Sequence, residues 1–419
     1  MKRAYLRFVL LFALITSLCL VLIGCTDSGN DSDPPSTEEE PAAPASEGLE
    51  FTYYLAGGGG YAVSGLGTCT DTDVVIPSTH EGLPVKSIGE LAFSHCSSIQ
   101  TVTLPDTIEH IGTAFVGCES LRSINLPQSL TKIDARAFAN CISLQSIEIP
   151  SGVTVIQGGT FSTCRNLKSV TLHDNITSIE VGAFESCQSL ESIIIPGKVT
   201  VIREGTFAYC ESLKSVTLPE GLTHIEDQAF YTCPALKTVN LPSTLQSIGE
   251  LVFEDCFSLN PIVLPQSLTT IGKRAFNGCH SATELVIPSN LTSIGSTAFG
   301  GWLELKALTL SANMGIIGAS MFQSAKALEQ VVIPDGITAM EDYAFYSCDA
   351  LTSITIPKSV THIGQFALGC VSLKDIYYNG SKADWNRIEL ESRWNDATTS
   401  QAYSFTVHCT DGDIEIIKD

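Results

Sequence analysis

Phenylalanine recurs along this chain at a fixed step of 23 residues, and cysteine follows it in the same register over most of the series. The phenylalanines that keep this interval are Phe115, Phe138, Phe161, Phe184, Phe207, Phe230, Phe253, Phe276, Phe299, Phe322 and Phe345. The cysteines beside them are Cys118, Cys141, Cys164, Cys187, Cys210, Cys233, Cys256 and Cys279. A period of this size is typical of a solenoid, because one copy cannot cover its own apolar face and must stack on the next. Although 419 residues would ordinarily suggest two or three domains, the repeat predicts one continuous body.

One copy, residues 141–161, indicates how each repeat folds. Ile147 and Ile149 alternate with polar neighbours, which is the pattern of a strand with one buried face. The proline that follows ends this strand because it has no N–H to donate, and Ile156 marks a second short strand. Segments such as 135–141 predict a short helical turn that points its alanine and phenylalanine inward. The first strand position recurs fourteen times, so the sequence predicts a coil of short parallel strands and short helical turns.

Both ends of the repeat have cap-like sequences. We place an N-terminal cap and first rung at 48–92, the solenoid at 93–374 and a C-terminal cap at 375–419. In the last segment, Ser381–Asp384 resembles a capping box that begins a helix through Leu390. The final residues predict a hairpin, which would cover the exposed edge of the last rung.

The first 25 residues predict a lipoprotein signal peptide rather than part of the fold. A positively charged start precedes an apolar run, Phe8–Ile23, and the segment closes on Leu-Ile-Gly-Cys at 22–25. This ending resembles a bacterial lipobox, which implies that Cys25 becomes the lipidated first residue of the mature protein. An uncleaved membrane helix is the alternative, but it leaves the small residue and cysteine at the end of the run unexplained. Residues 26–47 are acidic, rich in small residues and proline, and predict a disordered tether.

The charge balance excludes one class of partner. Asp and Glu number 45 against 23 Lys and Arg, a formal net charge of −22. Such a field repels phosphate backbones and anionic lipid headgroups, so we expect no nucleic-acid partner and membrane contact only through the lipid anchor. Charged residues make up 16% of the chain and hydrophobic residues 44%, so the body is packed rather than disordered.

The order of motifs in the repeat resembles a known family. In SLQSIEIPSGVTVIQGGTFSTC, residues 143–164, an L-x-x-I-x-I-P unit is followed by V-x-x-I and then by F-x-x-C. This pattern resembles the BspA-like, treponemal-type leucine-rich repeat of bacterial surface proteins, from about Leu49 to the C-terminus. The resemblance implies a right-handed leucine-rich-repeat coil of about 23-residue rungs, export from the cell, binding of host or bacterial partners, and no catalysis.

Eleven cysteines between Cys96 and Cys370 hold the repeat position, which raises the alternatives of a disulfide framework, a metal site or buried thiols. Trp302 and Ala325 occupy the same position, which favours a small or apolar filler. Parallel neighbours would stand about 4.8 Å apart, whereas a disulfide requires Cβ atoms about 3.8 Å apart. Beyond Cys25, thirteen cysteines remain, an odd number that cannot all pair within one chain. We therefore expect free, buried thiols.

The sequence contains no recognisable catalytic or metal-binding motif. His110, His224 and His362 share one repeat position but lie on rungs that are far apart in the chain. No C-x-x-C or H-x-x-x-H pair, H-E-x-x-H motif, nucleophile elbow or phosphate-binding loop is present. We accordingly expect no catalytic residues, no metal and no cofactor, and hence a protein that is not an enzyme.

The outward positions of the first strands are the candidate binding residues, because solenoids use such an extended sheet as a contact surface. One column consists mainly of serine. The neighbouring column forms the candidate binding face: Thr103, Asn125, Glu148, Thr171, Ile194, Thr217, Asn240, Val263, Val286, Val332 and Thr355. Serine, threonine and valine also simply suit exposed strands. The apolar drift at Val263, Val286 and Val332 favours a contact patch.

The sequence thus predicts a lipid-anchored, exported solenoid that mediates protein–protein recognition or adhesion. We expect it to be monomeric, exposed on the cell surface, and attached to the cell membrane or outer membrane. Its partner would be a protein on a host or bacterial surface. A structural spacer in the envelope and a glycan-binding solenoid remain alternatives, although glycan recognition would favour a row of exposed aromatic residues along the sheet.

Overall fold

The computed structural model describes residues 44–55, 59–397 and 403–418, which belong to one compact unit. The predicted signal peptide with Cys25, and the tether as far as residue 43, lie outside the described residues. Ser46, which the sequence placed in the tether, donates its N–H to the carbonyl of Val75 and accepts the N–H of Val75 on its hydroxyl. The ordered fold therefore begins before the predicted boundary at Gly48.

The body is a parallel β-solenoid, as predicted, in which each rung carries two short strands. The first-limb strands are Asp73–Val75, Thr101–Thr103, Ser123–Ile124, Ser146–Glu148, Ser169–Thr171, Ser192–Ile194, Ser215–Thr217, Thr238–Val239, Glu284–Val286, Ala307–Thr309, Gln330–Val332, Ser353–Ile356 and Asp375–Tyr378. The second-limb strands are Leu83–Ile88, His110–Ile111, Lys132–Ile133, Val155–Ile156, Ser178–Ile179, Val201–Ile202, His224–Ile225, Ser247–Ile248, Thr270–Ile271, Ser293–Ile294, Ile316–Ile317, Ala339–Met340, His362–Ile363 and Glu389–Leu390. Register follows the period, since Ile147 pairs with Val170 and Ile156 with Ile179.

One of the fourteen predicted first-limb strands is missing from the described residues. At residues 261–263 the chain is irregular, although Ile262 remains buried. Pro261 stands at the first position of the expected strand and has no N–H for the ladder. Strand pairing on the first limb is therefore absent across this rung. It also lapses, with both strands present, between Ser123–Ile124 and Ser146–Glu148, between Ser169–Thr171 and Ser192–Ile194, and between Ala307–Thr309 and Gln330–Val332.

The segments that the sequence predicted as short helical turns are hydrogen-bonded turns instead. In the segment 135–141, Arg136 and Asn140 adopt left-handed backbone angles, with φ of 58° and 62°. Left-handed residues cannot continue an α-helix. Their N–H groups donate to the next rung, from Arg136 to Gly158 and from Asn140 to Ser162. The turns thus add a third set of hydrogen bonds between rungs.

Phenylalanine forms the centre of the core, as expected. Twelve rings from Phe93 to Phe345 stack in sequence, with centroids 5.1–5.9 Å apart and planes within 20° of parallel. All twelve are fully buried. Along the stack each ring is covered by its neighbours, which is how stacking supplies the apolar cover that a single rung lacks.

Cysteine lines the core beside the phenylalanines, and all thirteen cysteines of the described residues are free thiols. Ten of them donate an S–H to the carbonyl oxygen of the phenylalanine one rung earlier, at Sγ–O distances of 3.0–3.5 Å. Trp302 keeps the same bond, because its indole Nε1 donates to the carbonyl of Phe276 at 2.8 Å. The interpretation of this position as a small or apolar filler is therefore incomplete, because the thiols and the indole also donate a hydrogen bond there. Ala325, whose side chain has no donor, is the exception.

The caps close both ends. At the N-terminus, Glu50–Tyr54 pairs antiparallel with Gly60–Gly65, which continues into the second-limb sheet, and the short strand Thr79–His80 folds back on Leu83–Ile88. Besides a 3₁₀ turn at Ala312–Met314, the described residues contain one α-helix, Lys382–Trp385.

The C-terminal cap follows the prediction in part. The capping box of Ser381 and Asp384 is present, but the helix ends at Trp385 rather than at Leu390. Glu389–Leu390 is instead a strand that pairs with His362–Ile363, so this segment completes a rung. The closing hairpin, Tyr403–Cys409 with Gly412–Lys418, joins the first-limb sheet beside Asp375–Tyr378. Among the described residues, no helix has the length and apolar character needed to cross a membrane.

Candidate functional site

The first-limb strands present the predicted binding residues at the surface. Alternation along each strand buries the central residue, such as Ile147, and turns its neighbours Ser146 and Glu148 outward. Ten of the eleven predicted residues are exposed and Thr355 is half-buried. Where neighbouring strands pair they lie in register, and the repeat carries the same position from rung to rung, so these side chains follow one another along the coil. We call them together the binding face.

The aliphatic members of the binding face are among the most exposed hydrophobic residues. Ile194 and Val263 are each 71% exposed, Val332 65% and Val286 59%. Val263 and Val286 stand on consecutive rungs, and Val332 is in register with Thr355 and then Tyr377. Burial of such side chains in a partner would release apolar surface from water at about 25 cal/mol per Å².

Two predicted binding residues also have a structural role that the sequence did not reveal. Asn125 accepts the N–H of Leu104 on its side-chain oxygen and donates its amide to the carbonyl of Leu104. Asn240 makes the same pair of bonds to Leu218. Each amide stands in for a neighbouring strand at a point where regular pairing ends, so part of its hydrogen-bonding capacity is already used.

A groove of about 810 Å³ crosses the binding face at the interrupted rung. It includes three of the predicted residues, Thr217, Asn240 and Val263. The other residues that line it are Ser215, Val216, Glu220, Thr238, Val239, Leu241, Ser243, Pro261, Pro265, Gln266 and Ser267. Hydroxyl and amide groups thus surround small apolar surfaces formed by proline and valine. Such a mixed surface suits a polypeptide, which offers both polar backbone groups and apolar side chains.

A second concavity, of about 630 Å³, lies over the second-limb strands around His224 and Ser247. Two of its four acidic residues, Glu226 and Asp227, are engaged within the fold through their carboxylates. Glu226 accepts a hydrogen bond from Arg203 at 2.9 Å, and the carboxylate of Asp227 accepts the N–H of Glu250 at 2.7 Å. These bonds hold the turns of successive rungs together, so we assign this concavity a structural role.

The thiols of the core are not equipped for nucleophilic chemistry. Burial raises the pKa of Cys164 and of Cys233 to about 12. Burial also raises the pKa of Cys187 well above its ordinary value, with a further contribution from the neighbouring thiols Cys210 and Cys164. Because the thiolate is the reactive form, these cysteines are held in the unreactive state.

Comparison with protein families agrees with this geometry. Residues 86–214, 200–325 and 301–389 match the BspA type leucine rich repeat region, in six copies. Together these segments cover more than half of the chain. The protein belongs to the BspA type leucine rich repeat family. Repeat proteins of this kind are generally non-enzymatic binding scaffolds.

Solved structures of bacterial leucine-rich repeat proteins share the fold. A leucine-rich repeat protein from Bacteroides ovatus is 27% identical with a TM-score of 0.69, covering 82% of this chain and 97% of its own. A leucine rich cell surface protein from Faecalibacterium prausnitzii is 28% identical with a TM-score of 0.51, covering 84% and 98%. The pneumococcal vaccine antigen PcpA, 20% identical with a TM-score of 0.52 over 85% and 98%, shares the fold alone. No curated protein matches this chain.

Proposed function

We propose that the chain is a non-enzymatic recognition module whose binding face docks a protein partner outside the cytoplasm. The observation that carries this proposal is the exposed column on the first limb, with four exposed aliphatic side chains, one of which, Val263, lines a groove at the missing strand. Val263 and Val286 stand on consecutive rungs, and a contiguous exposed apolar patch often marks a protein-binding site.

A protein is favoured over a glycan because the binding face carries aliphatic and hydroxyl side chains. Glycan sites typically stack sugar rings on exposed aromatic residues. Along the first-limb strands of the described residues, Tyr377 is the exposed aromatic, and it is already stacked on His408 with ring centroids 5.0 Å apart. Valine and threonine instead match the aliphatic and backbone groups of a polypeptide.

The proposed binding face is tested with the purified full-length chain as bait on host extracellular-matrix extracts and bacterial surface extracts. The protein that is captured is purified, and its Kd is measured against the wild type and against the triple variant Val263→Glu, Val286→Glu and Val332→Glu. Loss of three apolar contacts, with charge added to the interface, should weaken binding by at least about tenfold.

Ile316→Glu is the matched control, because Ile316 is an exposed aliphatic residue on a second-limb strand. It should bind as the wild type does, and circular dichroism should show all variants folded. Equal affinity of the triple variant, or no capture at all, would remove the binding face as a docking site and leave the spacer alternative. Capture that disappears after enzymatic deglycosylation of the extract would point to a glycan.

We further propose that export and a lipid on Cys25 place this module at the cell surface. The support is the lipobox-like sequence at 22–25 and the acidic, proline-rich segment after it, together with the similarity to a leucine rich cell surface protein from Faecalibacterium prausnitzii. Cells expressing the chain should incorporate labelled palmitate into it, and Cys25→Ser should abolish that labelling. Persistent labelling of the variant would place the acyl group elsewhere.

A further inference from the structure

Three histidines occupy the same position on second-limb strands, and their surroundings differ. His110 lies 2.9 Å from Asp134, but Lys132 holds the other oxygen of that carboxylate at 2.8 Å. His224 is hydrogen-bonded to the hydroxyl of Thr223 at 2.7 Å. Among these three, His362 is the one that faces two carboxylates, those of Glu389 and Glu391.

These three side chains come from two elements that the fold brings together. His362 and Glu389 are register partners in adjacent parallel strands, and Nδ1 of the histidine lies 3.4 Å from Oε2 of the glutamate. Glu391 follows two residues later on the same side of the strand, held in place by its N–H, which donates to the carbonyl of Ile363 at 3.0 Å. One ligand atom from each of the three residues lies within 4.8 Å of the others.

We propose that His362, Glu389 and Glu391 bind a divalent transition-metal ion, with Zn²⁺ as the reference metal. Two ligands each about 2.1 Å from zinc at a tetrahedral angle stand about 3.4 Å apart, the spacing found between His362 and Glu389. The imidazole nitrogen selects zinc-like ions over Ca²⁺ and Mg²⁺, which take oxygen ligands. Water completes the coordination at this surface position.

The local charge supports a cation at this place. Two carboxylates so close together repel each other unless a positive charge lies between them. Among the described residues, no lysine or arginine forms an ion pair with Glu389 or Glu391, in contrast to Lys132 beside His110. The ion therefore takes a position like the one that the Lys132 ammonium takes near His110.

Bound in this way, the ion links the last regular rung to the C-terminal cap. His362 belongs to the solenoid, whereas Glu389 and Glu391 follow the capping helix Lys382–Trp385. An ion that binds the folded state alone stabilises it through mass action, so the cap should open less often when zinc is present.

The test uses the full-length chain, purified without a polyhistidine tag, stripped with a chelator and titrated with Zn²⁺ by calorimetry. The wild type should bind one equivalent, and hydrogen exchange at 389–391 should slow on zinc addition. His362→Ala and Glu391→Gln should each weaken binding by at least about tenfold. His110→Ala is the matched control and should bind as the wild type does.

Co²⁺ substitution identifies the ligands. Nitrogen and oxygen ligation should give d–d absorption without a thiolate-to-cobalt charge-transfer band. A charge-transfer band would assign the metal to a cysteine and overturn the proposal, as would unchanged zinc affinity in His362→Ala. Equal affinity for Ca²⁺, insensitive to His362→Ala, would show an acidic surface without a transition-metal site.

Discussion

The regular rungs from Cys118 to Cys279 and the irregular pair of rungs at Trp302 and Ala325 line the same core in two ways. In the regular rungs, one thiol per rung fills a small volume and donates to the phenylalanine carbonyl of the rung before. In the irregular pair, a large indole keeps the donor, and the next rung carries a small apolar side chain. The difference teaches that this position accepts side chains of very different size, that most rungs place a hydrogen-bond donor there, and that thiol chemistry is dispensable there.

The largest expected effect concerns thiol reactivity in the regular rungs. With a pKa of about 12 rather than 9.0, Cys164 holds roughly a thousandfold less thiolate at neutral pH, and burial further restricts access. A thiol reagent applied to the native protein, with labelled peptides mapped by mass spectrometry, should therefore modify half-buried Cys96 and Cys409 long before Cys164.

The denatured, unreduced protein sets the reference for this experiment. There, nearly all thirteen cysteines beyond Cys25 should titrate as free thiols. If most of them proved oxidised in a native preparation, the buried-thiol interpretation would fail. Rapid native labelling of Cys164 would instead mean that the core opens easily.

Much of the fold could be predicted because the repeat acts through local alternation. The spacing of Ile147 and Ile149 sets which face of a strand is buried, and the step of 23 residues sets the register between rungs. Both patterns are visible within one or two copies. For this reason the solenoid, the inward-pointing phenylalanines and the exposure of the outward column all followed from the sequence.

The missed features depend on hydrogen bonds between rungs. The donor role of the cysteines pairs residues 25 or 26 positions apart, and the amide of Asn125 replaces strand pairing with Leu104. Neither contact can be recognised from a local sequence pattern. At the position of Asn125, for example, other copies carry threonine or valine. The left-handed turns escape prediction because their positive-φ residues, such as Arg136 and Asn140, differ in type from copy to copy and are mostly not residues that favour this conformation.

The candidate site was predictable to a similar extent. The exposed column followed from alternation, whereas the groove depends on Pro261, whose effect on the strand was recognisable in principle from its missing N–H. The cluster at His362 was not predictable, since its carboxylates come from a cap segment expected to be helical. Once Glu389 pairs as a strand, the partners of His362 are fixed by register.

A double-mutant cycle at Trp302 and Ala325 tests whether the two irregular rungs compensate each other, with a smaller expected effect. Trp302→Cys restores the thiol but leaves a cavity beside Ala325, so it should destabilise the protein by about 2–5 kcal/mol. Ala325→Cys crowds the neighbouring indole and should cost about 1–3 kcal/mol. Global denaturation and hydrogen exchange at 299–325 report both values.

The double variant carries the decisive comparison, because it rebuilds two consecutive regular rungs. With the indole gone, the thiol introduced at position 325 has room and can donate to the carbonyl of Phe299, which the methyl group of Ala325 cannot do. The double variant should thus be less destabilised than the sum of the single changes, by about 0.5–3 kcal/mol. Cys210→Ala lies in a regular rung far from both positions, so its destabilisation should add to that of either single change without an interaction energy. Strict additivity of Trp302→Cys and Ala325→Cys would show that the two positions are chosen separately, and that the irregular pair is two isolated exceptions to the cysteine column.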